Sequence, residues 1–386
     1  MDSTPPNTPL TEHEPSPWLR RLCLVTLVTT FALIAVGGKV TSYEYGLAIP
    51  EGWTTGGWVS FLAPLEYWWS DIDKRWEHAH RIMGTVVGML TVAMAVGLWR
   101  TQRHRPWLRW AGVAMLVLVC FQGTMGALRV SEVSITLAFV HGVVGQMILC
   151  SWVVVAAALS KPWVSRLTRV TANERSDATP RLRWAVRLLL VALLAQLTLG
   201  AAVRHFKADK TPPDLLVYGQ VVPPMSQDAL DEAYVDYYAA RMGVGPQDSG
   251  VTNRNPFGDV VASVGDVYLQ LAHRLGALIV SAMIIAIIIW AYRKAGDPAA
   301  VVAPSLVLLM LLGTQVALGV MTVLSETDPI MATLHQAVGA ALIACATWLA
   351  VRIHLAEYTR PVAIADQNTR RAADPRPAAA PAAVTA

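Results

Sequence analysis

Polar and charged residues are swept out of eight long stretches of this chain and gathered between them. A transmembrane helix needs about 20 mostly apolar residues. The stretches at roughly 22–38, 80–99, 110–128, 138–159, 184–203, 268–292, 304–324 and 331–353 meet that need. The pattern predicts eight membrane-spanning helices and, because eight is even, both termini on the same side.

Basic residues choose that side, since loops rich in Lys and Arg stay in the cytoplasm. Arg20 and Arg21 precede the first span, and Arg100, Arg103, Arg105 and Arg109 separate the second from the third. Lys161, Arg166, Arg169, Arg175, Arg181 and Arg183 lie between the fourth and fifth, and Arg293 and Lys294 follow the sixth. The opposite loops are acidic: 204–266 carries nine carboxylates against five basic groups. Both termini are therefore expected in the cytoplasm. Tryptophans mark the same boundaries, with Trp68, Trp69 and Trp76 near the outer edge and Trp99, Trp107, Trp110, Trp163 and Trp184 near the inner one, where an amphipathic ring prefers to sit.

Composition adds weight to the membrane assignment: 54% of residues are hydrophobic and 15% charged, against about 25% charged in soluble domains. The net charge of +4 reflects orientation, and no basic patch with interleaved aromatics suggests a nucleic-acid partner. Segment 1–19, with its proline- and acid-rich start, is expected to be a disordered tail without the features of a cleaved signal. The Ala/Pro-rich tail 356–386 has too little apolar bulk to pack. Cys23, Cys120, Cys150 and Cys345 form no CxxC and no pair in an outer loop, and read as small apolar packing residues.

The chemistry rests on histidine. His80 and His141 are 61 residues apart and His273 and His335 are 62 apart, each beside an apolar run, with offsets of 193 and 194 between matched members. Ala79-His80-Arg81 recurs as Ala272-His273-Arg274, and Gln122-x3-Gly126 recurs as Gln196-x3-Gly200 and Gln315-x3-Gly319. The fold class that follows is an all-α integral membrane protein, its eight helices arranged as two pseudo-symmetric four-helix bundles. These are expected over 20–160 and 184–355, joined by a cytoplasmic linker at 161–183, with the long outer loop 204–266 in the second. A titratable group inside a span is a functional hypothesis by default. Four at repeat-related positions suit two pairs of axial haem ligands, each histidine starting a helix just inside the outer interface. Gly84, Gly145, Gly276 and Gly339 follow the histidines by about one turn and would let a macrocycle approach the backbone, although small residues also serve tight helix packing. His78, whose counterpart is Leu271, and His205, expected in a loop after the fifth span, are weaker candidates for a place near the site.

Glu77-His78-Ala79-His80-Arg81, the GLAIP stretch Gly46–Pro50, Phe139-Val140-His141-Gly142, Ala272-His273-Arg274 and Leu334-His335-Gln336 together resemble the haem A synthase family over roughly 20–355. The resemblance implies a bacterial inner-membrane enzyme that oxidises the C8 methyl of haem O to a formyl group. The reaction would run by two hydroxylations and loss of water, giving haem A for cytochrome c oxidase. It implies His80 and His141 around the iron of haem O, the substrate, and His273 and His335 as ligands of a haem b, with the sites toward the outer face. Glu77 would be the catalytic carboxylate, although an acid is also favoured at a helix N-terminus by the dipole. Arg81 and Arg274 would pair with haem propionates or anchor to lipid headgroups. The partners implied are membrane lipid, haem O synthase, cytochrome c oxidase assembly factors and an electron donor that the resemblance does not identify. Two departures stand out: the first outer loop has no cysteine pair, and Ala208-Asp209-Lys210-Thr211-Pro212 replaces a second GLAIP. Within the long loop, Asp228–Arg241 is expected to form an amphipathic helix over the haem sites. The alternative reading is a bis-histidine di-haem cytochrome that passes electrons without modifying haem.

Overall fold

The computed structural model describes residues 16–160, 163, 180–210, 212–294 and 299–356. The expected N-terminal tail up to residue 15, the C-terminal tail from 357 and most of the expected linker lie outside the described residues. Eight helices are long and apolar enough to cross a bilayer. They are α1 Pro17–Ser42, α2 Ile72–Thr101, α3 Pro106–Ser131, α4 Ile135–Ala158, α5 Pro180–His205, α6 Val264–Lys294, α7 Ala299–Leu324 and α8 Pro329–Ala356. The protein is an all-α, multi-pass membrane protein.

Local chemistry sets the ends. Proline opens α1, α3, α5 and α8, where its missing N–H costs nothing. Asp71 accepts from the N–H groups of Asp73 and Lys74 at the start of α2. Ser263 and Asp266 cap α6 reciprocally, each accepting from the other's N–H, in the manner of a capping box. These caps start α2 and α6 well before their apolar runs. His80 is consequently the ninth residue of α2, His141 the seventh of α4, His273 the tenth of α6 and His335 the seventh of α8. The histidines lie in the second or third turn instead of starting their helices.

Helix α1 packs on α2, α2 on α3, α3 on α4 and α4 on α1, and the same circuit joins α5, α6, α7 and α8. The circuits touch through α4 with α8, and through α1 with α8 and its repeat-equivalent, α5 with α4. Lipid offers no hydrophobic drive for helices to associate, so close packing must hold them. The tightest packing lies at the end away from the histidines: Leu19, Met94, Leu98, Leu108 and Trp152 in one circuit, Leu189, Ile284, Leu308 and Leu349 in the other. Cys23 and Cys345 sit in these cores, whereas Cys120 faces outward. Buried Thr26, Thr30 and Thr91 return their hydroxyls to the carbonyl four residues back, which satisfies them without a partner helix.

At the histidine-bearing end, the segments after α1 and after α5 repeat each other more closely than their sequences do. Each contains a tight turn, Thr55–Trp58 and Val217–Gln220, closed by a reciprocal pair of backbone hydrogen bonds. Both central residues have positive φ in each turn, Gly56 and Gly57 in the first, Tyr218 and Gly219 in the second, as a type I′ turn requires. The second segment then continues into the helix Gln227–Met242. This helix packs Leu230 and Ala233 with Tyr218, Tyr234, Tyr238, Val267 and Leu271, and Arg241 reaches Glu326 at 3.0 Å. It lies over the α5–α8 circuit. Burial there pushes the Tyr238 hydroxyl up to about 12.

Candidate functional site: four histidines on four glycines

Each of the four histidines lies against a glycine of the preceding helix. A Cβ added to Gly37, Gly126, Gly200 or Gly319 would stand 2.9–3.0 Å from Cε1 of His80, His141, His273 or His335 respectively. Only a bare backbone admits the ring there. Each imidazole also faces the backbone of the residue four before its glycine, Leu33, Gln122, Gln196 or Gln315. At His141 this contact closes to 3.2 Å from Nδ1 to the Gln122 carbonyl. Nδ1 of His80 and of His335 is buried without a hydrogen bond of ordinary geometry.

The glutamines complete the cradle in three of the four repeats. Gln122 donates to the His141 carbonyl at 2.8 Å, Gln196 to the His273 carbonyl at 2.8 Å, and the Gln196 amide also meets His273 Nδ1 at 2.9 Å. The Gln315 amide lies 3.2 Å from Nε2 of His335. Glycines after the histidines make room for two of these amides: a Cβ on Gly276 or Gly339 would crowd Gln196 or Gln315, whereas one on Gly145 would stand in ordinary contact with Gln122 at 3.5 Å. In the first repeat Leu33 replaces the glutamine, and nothing lies within 4 Å of a Cβ on Gly84. Two of the glycines expected to admit a macrocycle, Gly276 and Gly339, therefore admit the amide of the neighbouring helix.

The ring centres of His273 and His335 are 6.5 Å apart with planes at 82°. Two imidazoles bound to one metal atom at about 2 Å per bond place their ring centres roughly 6 Å apart, so this pair fits a shared iron. His80 and His141 are electrostatic neighbours across the other circuit. A ligating histidine commonly commits its second nitrogen to a carbonyl, which fixes the ring, and Nδ1 of His141 is held in this way. The four rings on their glycine seats fit axial ligation of two haems.

Glu77 is 2% exposed. One carboxylate oxygen is 2.6 Å from Arg81 and the other accepts from the N–H of Ile49 at 2.8 Å. It is the sixth residue of α2, beyond the first turn in which a helix dipole acts strongly; its stabilising partner is therefore Arg81. Arg81 donates further to the carbonyls of Ile49, Glu51 and Thr54, so the GLAIP segment is clasped from below. The second circuit repeats the clasp without the carboxylate. Arg274 donates to the carbonyls of Pro212, Leu215 and Leu216, and Gln270, at the position matching Glu77, donates to those of Ala208 and Asp209.

Residues 70–347 match the COX15-CtaA family, described as cytochrome oxidase assembly protein. The chain belongs to this family. It is 27% identical to a protein of Novosphingobium aromaticivorans named Heme A synthase, covering 86% of this chain and 94% of that one. Similar proteins of the same name occur in Agrobacterium fabrum, 26% identical over 90% of this chain and 92% of the relative, and in Shouchella clausii, 25% identical over 80% and 87%.

This COX15-CtaA chain also brings in two residues that sequence reading passed over or misplaced. Arg129, in the last turn of α3, interacts electrostatically with Glu77, His80, His141 and His205. Among the described residues its guanidinium has no hydrogen bond or ion pair. A Cβ on Gly46 of the GLAIP segment would stand 2.9 Å from its guanidinium. His205 ends α5 instead of following it, and its Nε2 lies 3.8 Å from a Cβ built on Gly142, next to His141. The second circuit thus reaches into the first circuit's site.

Proposed function

We propose that the protein is a haem A synthase, oxidising the C8 methyl of haem O to a formyl group for cytochrome c oxidase. In this reading His80 and His141 hold the substrate haem, and His273 and His335 hold a resident haem b in the α5–α8 circuit. The observation that carries it is the contrast at one repeat position: the first circuit buries an ionisable Glu77 beside its histidine pair, and the second buries a neutral Gln270. Two electron-carrying sites of equal standing would have no use for that difference.

The bound irons supply the redox chemistry. Glu77 holds or releases a proton beside the substrate, with Arg81 fixing the carboxylate and Ile49 closing the site from water. Arg129 and His205 present positive and polar groups where an anionic edge of the substrate can rest, and Arg81 and Arg274 act on haem by holding the loops over it. The membrane in this reading is the bacterial inner membrane, and the distribution of basic residues supports cytoplasmic termini and sites that face outward.

Co-expression with a haem O synthase, followed by pigment extraction, tests the activity. Haem A should appear, with the C8 alcohol as a minor species. Haem-loaded protein that leaves haem O unchanged would instead support the di-haem cytochrome.

A further inference from the structure

A cavity of about 510 Å³ lies on the side of α2, bounded by Phe61, Trp68, Trp69, His78, Ala79 and Met83. Its size falls in the range of small-molecule sites, about 300–1,000 Å³. His78 is 4% exposed, and its Nδ1 is buried with no hydrogen-bond partner. The ring stacks on Trp68 with centres 4.3 Å apart and planes 24° from parallel, which leaves one flat aromatic wall carrying one unsatisfied polar atom. Such an atom is costly inside a bilayer unless something pairs with it.

The repeat shows that the cavity is not forced by the fold. In the second circuit Leu271 takes the place of His78 and packs against the buried cluster of Tyr218, Leu230 and Val267 that Tyr234 and Tyr238 also cover. Where one circuit fills this place with its own side chains, the other keeps a cavity and an imidazole.

We infer that this cavity binds the ring of a membrane quinone or quinol, and that the quinol is the reductant of the haems proposed above. A planar ring suits the Trp68–His78 wall, a ring oxygen suits Nδ1, and an isoprenoid tail can leave past Phe61, itself half exposed. An acyl chain would offer Nδ1 nothing. A phosphate headgroup would need a free cation, but Arg75, which also lines the cavity, lies over the Trp69 ring at 4.6 Å and directs Nε and one terminal nitrogen to the Trp69 carbonyl. His78 precedes His80 by two residues, so the two rings leave α2 on nearly opposite sides, separated by about the 10–12 Å width of one helix. Oxidation of one quinol to quinone releases two electrons and two protons. Those electrons would bring two ferric haems to the ferrous state, and the two protons leave to water at that end of the bundle.

The test uses the full-length, haem-loaded protein in phosphatidylcholine nanodiscs under anaerobic conditions, mixed with decylubiquinol or menadiol while the ferrous haem spectrum is followed. One of the two should reduce the wild-type protein. His78→Leu, which installs the residue of the other circuit, and Ala79→Phe, which fills the cavity, should each slow that reduction at least tenfold. Haem content and reduction by dithionite should stay unchanged. Quenching of tryptophan fluorescence by decylubiquinone or menadione, lost in His78→Leu, reads the site without any haem, so it separates failure of this inference from failure of the synthase assignment. Wild-type reduction rates in both variants, or no reduction and no quenching in the wild type, would overturn the quinone site.

Discussion

Three residues before the first histidine of each circuit, Glu77 and Gln270 both brace the segment that follows the preceding helix, Glu77 by accepting from Ile49 and Gln270 by donating to Ala208 and Asp209. Bracing therefore does not require a charge. Glu77→Gln should keep the acceptor for Ile49 and leave haem content at the wild-type level. Formation of haem A should nevertheless fall about 10²–10⁴-fold, the loss typical of a removed general acid or base. The ratio of haem O, its C8 alcohol and haem A at matched protein level reads the effect, and a wild-type ratio would reduce Glu77 to a loop brace. The glycine seats give a second prediction at this scale. Gly200→Ala would put a methyl 2.9 Å from His273 Cε1, and overpacking of this kind costs about 1–3 kcal/mol. The low-spin haem signal of the α5–α8 circuit should weaken or disappear. Gly313→Ala, where nothing lies within 4 Å, should leave it intact.

The helices and loops divide clearly into what was legible and what was not. All eight spans were legible because a bilayer imposes a length that no other environment imposes on apolar runs. Their starts were not, because caps such as Asp71 and Ser263 draw polar residues into α2 and α6, and this moved the histidines and Glu77 deeper than expected. The glutamine repeat was visible as a pattern, but its partner was not, since a contact between helices leaves no trace in the spacing along one of them. Arg129 was hidden by its place at the end of an apolar run, where arginines ordinarily anchor to headgroups. The paired loops were hidden because Arg81 and Arg274 recognise backbone carbonyls, which any sequence supplies. Those two clasps should differ in strength. Arg81→Met takes from Glu77, with a side chain 3% exposed, its hydrogen-bonded cation and leaves it the Ile49 N–H and the more distant Arg129, and breaking a buried pair in this way costs about 3–5 kcal/mol. Arg274→Met leaves only carbonyls unpaired, about 1–3 kcal/mol. Thermal unfolding in detergent should rank Arg81→Met well below Arg274→Met, and introducing Glu77→Gln into the Arg81→Met variant should recover part of the difference. Equal losses would mean that the Glu77–Arg81 pair adds nothing beyond the carbonyl contacts of the clasp.

Across the whole molecule, packing and chemistry occupy opposite ends. Large apolar side chains fill one end of both circuits, and the histidines, Glu77, the clasped loops and the tyrosine cap share the other, so the side of the membrane that this end faces decides where haem, reductant and protons meet. The distribution of charge supports the outward orientation proposed above: the loops at the packed end carry the excess of Lys and Arg, and the long segment over the histidine end is acidic. The arrangement can be tested without haem. In a variant lacking the four native cysteines, a cysteine at exposed Gln247, beyond the helix Gln227–Met242, should react with a membrane-impermeant maleimide applied to intact spheroplasts. A cysteine at exposed Arg103, between α2 and α3, should react only after the membrane is opened. The reverse pattern would place both histidine pairs, Glu77 and the quinone cavity on the cytoplasmic face, and the protons released by quinol oxidation would then enter the cytoplasm.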